Sequence, residues 1–433
     1  MTPQTSFMVL APVDPLREAE LRLLLDSMND APGRLKKPCP LVPFHDFDTL
    51  HVARLFLVDD QTTGDVAVYG IAPRRYPLYL AFLGDVDGGA DAFYAELARR
   101  AGEGLRALFS CCMGFGPGAD LVDWMRAHHV GASASYVNWR GRTVTQVREE
   151  AALREALAVQ VRTDGLDSRH LAPREVHRLL RAAVRQAQGA GRLPLSPEAA
   201  TPIGHKARNL LHLVGVPFVL LLASPVLLVL ALVALVRLRM LEKTDEEICP
   251  RSDPAASAEL SRLEDHDVTN QFTAMGSLKP GPTRLFITRF VLLAIDYTAR
   301  HIYTRGRLAR VRTIHFARWV FIDERQRIIF LSNYDGSLES YMDDFINKVG
   351  FGLNLVFSNG IGYPRASFLV GGGSKDERKF KEYLRRHQVP TQVWYKAYPG
   401  LTAADLERNV RLRKGLEATE LAEPEAREWV SLL

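Results

Sequence analysis

The sequence predicts an α+β fold made twice in tandem, with a membrane-type segment between the two copies. Two observations carry this. Blocks of residues recur in the same order with offsets that change only between blocks, and one 24-residue run between the copies carries no charge.

The recurrence is direct. LHVARLFLVDD (residues 50–60) mirrors IHFARWVFIDE (314–324) at an offset of 264. Residues 79–110 mirror 328–358 at an offset of 248, and 124–143 mirror 383–402 at 259. Offsets that shift only at loops are expected of repeats with insertions. A weaker lead-in of strand, Pro turn and amphipathic helix pairs 6–28 with 271–302.

Each copy reads strand, helix, strand, strand, helix, strand. In the second copy Ile314, Phe316, Arg318 and Val320 alternate with His315, Ala317, Trp319 and Phe321, the period of a strand. The second helix is expected to start at an Asp-Gly step, Asp87-Gly88 or Asp335-Gly336, with Asp as its N-cap. This βαββαβ order is the ferredoxin-like unit. Two such units in one chain are expected to pack sheet to sheet as a dimeric α/β-barrel type domain, with a cavity between or beside the sheets. The organisation read from the chain is a first unit at 1–158, an insert at 159–268, a second unit at 269–420 and a tail at 421–433.

The insert holds a basic amphipathic helix (171–194), then LVGVPFVLLLASPVLLVLALVALV at 213–236. That run is long enough to cross a hydrocarbon core of about 30 Å. A straight crossing would separate the two repeats, which need each other. Pro217 and Pro225 interrupt the run, and basic residues flank both ends: His205, Lys206 and Arg208 before it, Arg237, Arg239 and Lys243 after it. The expectation is a re-entrant hairpin, a monotopic anchor with both repeats on the cytoplasmic side of the cytoplasmic membrane. A homo-oligomer enters because the hairpin turn needs protein around it to satisfy its backbone. Helix 283–302, with Arg284, Arg289, Arg300, Arg305 and Arg307, is a second membrane contact or else the cover of its own sheet. Residues 242–261 are polar and read as a flexible linker.

Net charge is +5 and the pI about 9.0, with the basic excess beside the apolar run. An anionic membrane surface accounts for it without nucleic acid, and no RNA-binding signature occurs. Cys39, Cys111, Cys112 and Cys249 form no CxxC pair, so a reduced compartment is expected.

Chemistry is sought first at the residues both copies share. His51 with Arg54, and His315 with Arg318, form an HxAR pair in each. A strand histidine facing a cavity can ligate haem iron or move protons; the same histidine can equally be a satisfied core residue at a repeat interface. A second cluster sets Asn138, Trp139, Arg140 and Arg142 against Tyr395, Lys396 and Tyr398. It can line a pocket for a lipophilic anion, or be an edge strand with ordinary charges.

Gly84-Asp85-Val86-Asp87-Gly88 fits a GxxDG pattern; the second copy, ending in Asp335-Gly336, lacks the first Gly. With the duplicated architecture, this pattern resembles the dye-decolourising peroxidases, haem proteins built of two ferredoxin-like units. The resemblance implies Asp87 as the peroxide acid-base group beside an arginine, Arg54 or Arg318, with Asp335 as its counterpart. It also implies an axial haem ligand at His315 or His387. Two functions follow: a membrane-anchored, haem-dependent oxidoreductase acting on a lipid or lipophilic small molecule, and a cofactor-free lipid-binding or membrane-scaffold protein.

Overall fold

The computed structural model describes residues 1–166 and 171–433. The β-rich stretches form two four-stranded antiparallel sheets. The first takes β1 (Gln4–Pro12), β2 (Leu50–Val58) and β3 (Tyr79–Asp87) from the N-terminal half. The second takes β4 (Ala134–Val137), β5 (Thr269–Ser277), β6 (Ile314–Ile322) and β7 (Arg327–Asp335), and β8 (Val393–Lys396) completes the first. The orders are β1-β3-β2-β8 and β4-β6-β7-β5.

The last strand of each half is therefore exchanged. The βαββαβ reading keeps it in its own sheet; instead β4 pairs with β6 and β8 with β2. The approach to each exchanged strand still runs along the edge of its own half. Val130 N donates to Met8 O at 2.8 Å and Val389 N to Thr273 O at 2.9 Å. Each fourth strand thus bridges the edges of both sheets and joins them. Between the sheets lies an apolar cluster drawn from both, including Met8, Phe56, Leu83, Met275, Val320 and Leu331. The outer faces are covered by helices. Helix Ala90–Phe109 packs on the first sheet and Leu338–Phe357 on the second. Both helices kink at their twelfth residue, Ala101 and Val349, each followed by glycine.

The insert and the tail are more ordered than the sequence suggests. Helix Pro173–Gly189 buries Val176, Leu180 and Val184 against Leu412, Leu416 and Trp429, so the tail is a packed helix, Glu423–Val430. The polar stretch read as a linker runs into helix Pro254–Glu264, and its Glu242, Asp245 and Ile248 are buried.

The hairpin expectation is overturned. Residues Ile203–Thr244 form one continuous helix of 42 residues with Pro217 and Pro225 inside it. Each proline removes one i−4 hydrogen bond, which bends a helix of this length without ending it. This helix is long and apolar enough to cross a membrane, and only 6% of its most apolar 18-residue window is buried. It is therefore no core helix. Both ends dock on the neighbouring helix Pro282–His301. His212 Nδ1 lies 2.9 Å from His301 Nε2, and Tyr297 donates to Leu213 O at 3.0 Å. At the other end Ala234 and Leu238 cluster with Ile287. From His212 to Leu238 the long helix rises about 39 Å, whereas His301 to Ile287 spans about 21 Å.

Candidate functional site

The HxAR histidine occupies the same irregularity in both halves. The register of β2 on β3 shifts between Leu50 and Val52, and that of β6 on β7 between Ile314 and Phe316. His51 and His315 are the extra residues of these β-bulges, which re-aim a side chain. Strict alternation along β6 fails there: Ile314 joins Ala317 and Trp319 in the outer core, and His315 turns away.

Each bulge brings its histidine to the Asp of the Asp-Gly step. His51 Nε2 lies 3.1 Å from Asp87 Oδ1 and its Nδ1 3.1 Å from the Tyr398 hydroxyl; His315 Nε2 lies 2.6 Å from Asp335 Oδ1. The second carboxylate oxygen caps a helix, but a different one from that expected. Val144 N donates to Asp87 Oδ2 at 2.9 Å and Ala403 N to Asp335 Oδ2 at 2.7 Å. These are the first residues of helices Val144–Thr163 and Ala403–Glu417, which follow the exchanged strands. Gly88 and Gly336, at φ 89° and 82°, turn the chain away. The helix after the step is left to Gly89 in one half and to the Ser337 hydroxyl in the other.

The two arginines are cross-sheet clamps. Arg54 donates to Phe272 O and to Thr273 Oγ1, both at 3.0 Å, and to Ser332 O. Arg318 donates to Phe7 O at 3.1 Å and Gly84 O at 3.3 Å, and pairs with Asp85. Phe7 pairs with Gly84 in the first sheet as Phe272 pairs with Ser332 in the second, so each arginine grips the opposite sheet in the same way. Burial, and repulsion from Arg318, push the Arg54 guanidinium down to about 9. The Trp394 ring covers it, its centroid 5.5 Å away. Burial holds the Asp85 carboxyl above its ordinary value even with Arg318 beside it.

Do these groups fit haem? His51 and His315 share a void of about 10 Å³, the room of a single water. Both His51 nitrogens have partners, as does His315 Nε2. His387 is buried with Nδ1 2.8 Å from Tyr383 O, and burial lowers its basicity. Its other edge lies against the backbone of Gly276 and Gly362, where even an added Cβ would sit within about 3.3 Å of the ring. The residues present do not fit a macrocycle at any of the three histidines.

Space exists instead at one end of the paired sheets. A cavity of about 350 Å³ is lined by Ser6, Asp85 and Ser135 on β1, β3 and β4 and by Arg140, Arg208 and Arg300, of which Arg208 is exposed, within the usual range for small-molecule sites. Register explains why only one end is open. Ser135 sits opposite Arg318 and Trp394 opposite Arg54, equivalent places in the two sheets. The indole is buried and fills its end, whereas serine leaves the other open. The partner residues differ too: Asp85 corresponds to Asn333, whose amide nitrogen is buried without a partner among the described residues. Arg140, from the aromatic-basic cluster singled out in the sequence, reaches this cavity; Tyr395 and Tyr398 of that cluster pack in the first core instead.

The long helix begins at this cavity, through His205, Arg208 and Asn209. Its far end is locked by a buried ionic network. Asp245 accepts from Lys279 Nζ at 2.8 Å, Arg284 Nη2 at 2.5 Å and the Tyr69 hydroxyl at 2.7 Å. Burial raises the Asp245 carboxyl, but Lys279, Tyr69 and Arg284 together hold it below its ordinary value. Glu242 takes the Phe368 and Leu369 amides at 2.8 and 3.0 Å. Arg239 lies over the Phe368 ring at 5.3 Å, and Arg237 is exposed. Apolar exposure continues beyond the helix onto Phe286, Phe290, Phe368 and Val370. Beside Val370 a surface hollow of about 660 Å³ is lined by Arg307, Arg310, Lys348 and Lys375.

Among the described residues no three His, Cys, Asp or Glu side chains converge as a metal site. Compared with protein-family models, with curated proteins and with solved structures, the chain has no match.

Proposed function

We propose that this chain is a membrane-anchored, cofactor-free lipid-binding protein, in which paired sheets hold a rigid site at the bilayer surface. The observation that carries this is the helix Ile203–Thr244: uncharged from 213 to 236, with its most apolar window almost wholly unburied, and fixed at both ends to one helix of the folded body. A contiguous apolar surface of this extent marks a membrane or partner contact. The fused-unit reading supports it. Two ferredoxin-like units that exchange fourth strands give a stiff platform, so an anchor fixed to one unit is fixed to both.

Both ends of the anchor dock on the same side of the body, which favours a monotopic arrangement over a straight crossing. The basic residues at both ends and around the 660 Å³ hollow favour the cytoplasmic, anionic leaflet. The haem-oxidoreductase reading has no such support, because its candidate ligands and acid-base groups are spent on bulges, helix ends and cross-sheet clamps.

The test is reconstitution of the full chain from detergent into phosphatidylcholine vesicles, followed by flotation. The intact chain is expected to float and to resist carbonate extraction. A Leu221→Asp/Leu228→Asp variant, each charge costing roughly 2.5–3.5 kcal/mol at a bilayer centre, is expected to stay in the soluble fraction. Equal flotation of the two would overturn the reading.

A further inference from the structure

We propose that the open end of the paired sheets, with Ser6, Asp85 and Ser135 inside and Arg140, Arg208 and Arg300 at its mouth, binds the phosphate-bearing, hydroxylated headgroup of an anionic phospholipid. This rests on the membrane-anchored reading and names the ligand and its place.

The argument begins from the asymmetry of the two ends. Where the strands oppose Arg54, Trp394 closes the space; where they oppose Arg318, Ser135 stands in the equivalent position and a cavity of about 350 Å³ remains. A cavity kept in one half of a duplicated body, and filled in the other by one large residue, is a difference between the copies that packing alone does not require.

The charge at the mouth selects an anion. Of the three arginines there, only Arg300 is ion-paired among the described residues, with Asp296 at 3.6 Å. Arg140 Nε and His205 Nδ1 are buried without a partner. Arginine presents a planar fork of donors matched to phosphate oxygens. The interior asks for something else. Asp85 is buried and already paired with Arg318, so a second anion is excluded from the floor, while its oxygens and the Ser6 and Ser135 hydroxyls can meet hydroxyl donors. Phosphate at the mouth with hydroxyls directed inward is the polarity of a phosphoglycerol or similar polyol-phosphate headgroup. Position supplies the lipid: Arg208 lies on the first turns of the apolar helix, five residues before Leu213, so acyl chains leaving the mouth meet that helix.

The experiment titrates the detergent-solubilised full chain by calorimetry with short-chain phosphatidylglycerol, short-chain phosphatidylcholine and inorganic phosphate. The proposal expects saturable binding of the glycerol lipid and binding of the choline lipid at least about tenfold weaker. Ser135→Trp, which copies the closed end, and Arg140→Gln, which removes one phosphate donor, are each expected to weaken binding about tenfold, equivalent to one lost charge-assisted contact. Two variants are used so that a packing defect in the tryptophan variant cannot decide the result; melting in detergent reports each fold. No saturable glycerol-lipid binding, or binding indifferent to both variants, overturns the proposal. Phosphate binding of equal strength and equal sensitivity overturns the lipid assignment in favour of a free anion. Flotation of the same preparation on phosphatidylcholine vesicles reports the anchor separately: a chain that floats without the headgroup preference retires this site alone.

Discussion

Replacing Arg318 by methionine probes the clamp at the open end. The guanidinium reaches across to Phe7 O and Gly84 O and neutralises Asp85, which is 4% exposed. Methionine keeps most of the volume and leaves the carboxylate buried and uncompensated. Breaking a buried pair in this way costs roughly 3–5 kcal/mol. For a chain of 433 residues, at about 1 °C per kcal/mol, the melting temperature should fall by roughly 3–5 °C at neutral pH. The pH dependence has a definite sign. Burial already raises the Asp85 carboxyl above its ordinary 3.8, and removing Arg318 raises it further. The folded chain then binds more protons than the unfolded one between the two values, so the variant regains stability as pH falls through that window and loses it as pH rises. Asp85→Asn in the Arg318→Met background should recover most of the loss at neutral pH. The assay is thermal melting in detergent from neutral to mildly acidic pH. An Arg318→Met chain as stable as the parent at neutral pH, or a deficit that does not shrink on acidification, would refute the clamp.

Asp87→Ala removes the acceptor for Val144 N and the partner of His51, so a loss of roughly 1–2 kcal/mol in stability is expected, with flotation unchanged. An unchanged melt would remove Asp87 from the structural role given to it. Trp394→Ser opens the closed end over Arg54, and truncating a buried tryptophan to a small residue should cost roughly 3–5 kcal/mol by denaturant titration; a cost under about 1 kcal/mol would mean the indole does not fill that end. Asp245→Ala strands Lys279 and Arg284 without their shared carboxylate. The far end of the apolar helix should then become protease-sensitive while the sheets stay protected, and identical cleavage patterns would show that the lock does not hold that end.

Much of the architecture is written in the repeat itself. The offsets 264, 248 and 259 place the equivalent strands, and the same offsets set Ser135 against Trp394 and Asp85 against Asn333. The asymmetry that opens one end was therefore present in the alignment of the two copies. The residues the copies share build the bulges and clamps, whereas the cavity comes from where they differ. Other features depend on long-range geometry that no local pattern carries. The exchange of β4 and β8 needs the two sheets to be in place. The bulges at His51 and His315 insert one residue into a strand whose alternation looks unbroken, so a strict period of two puts Ile314 on the wrong face. Asp87 and Asp335 have the sequence context of an N-cap for the next helix, yet they cap the helix beyond it. The proline pattern of the apolar run reads equally as a hairpin or as one helix, and only the unbroken helix Ile203–Thr244 decides between them. Glu242 and Asp245 look like linker residues because their burial partners lie far along the chain.

The central claim is that the folded body carries a lipid and no prosthetic group. Native mass spectrometry of the full chain, released from detergent after purification, addresses it most directly. The account predicts the chain mass plus one anionic phospholipid, with that adduct lost in the Ser135→Trp variant. An adduct with the mass of haem, or a chain that retains a phospholipid equally well with the open end plugged, would contradict it.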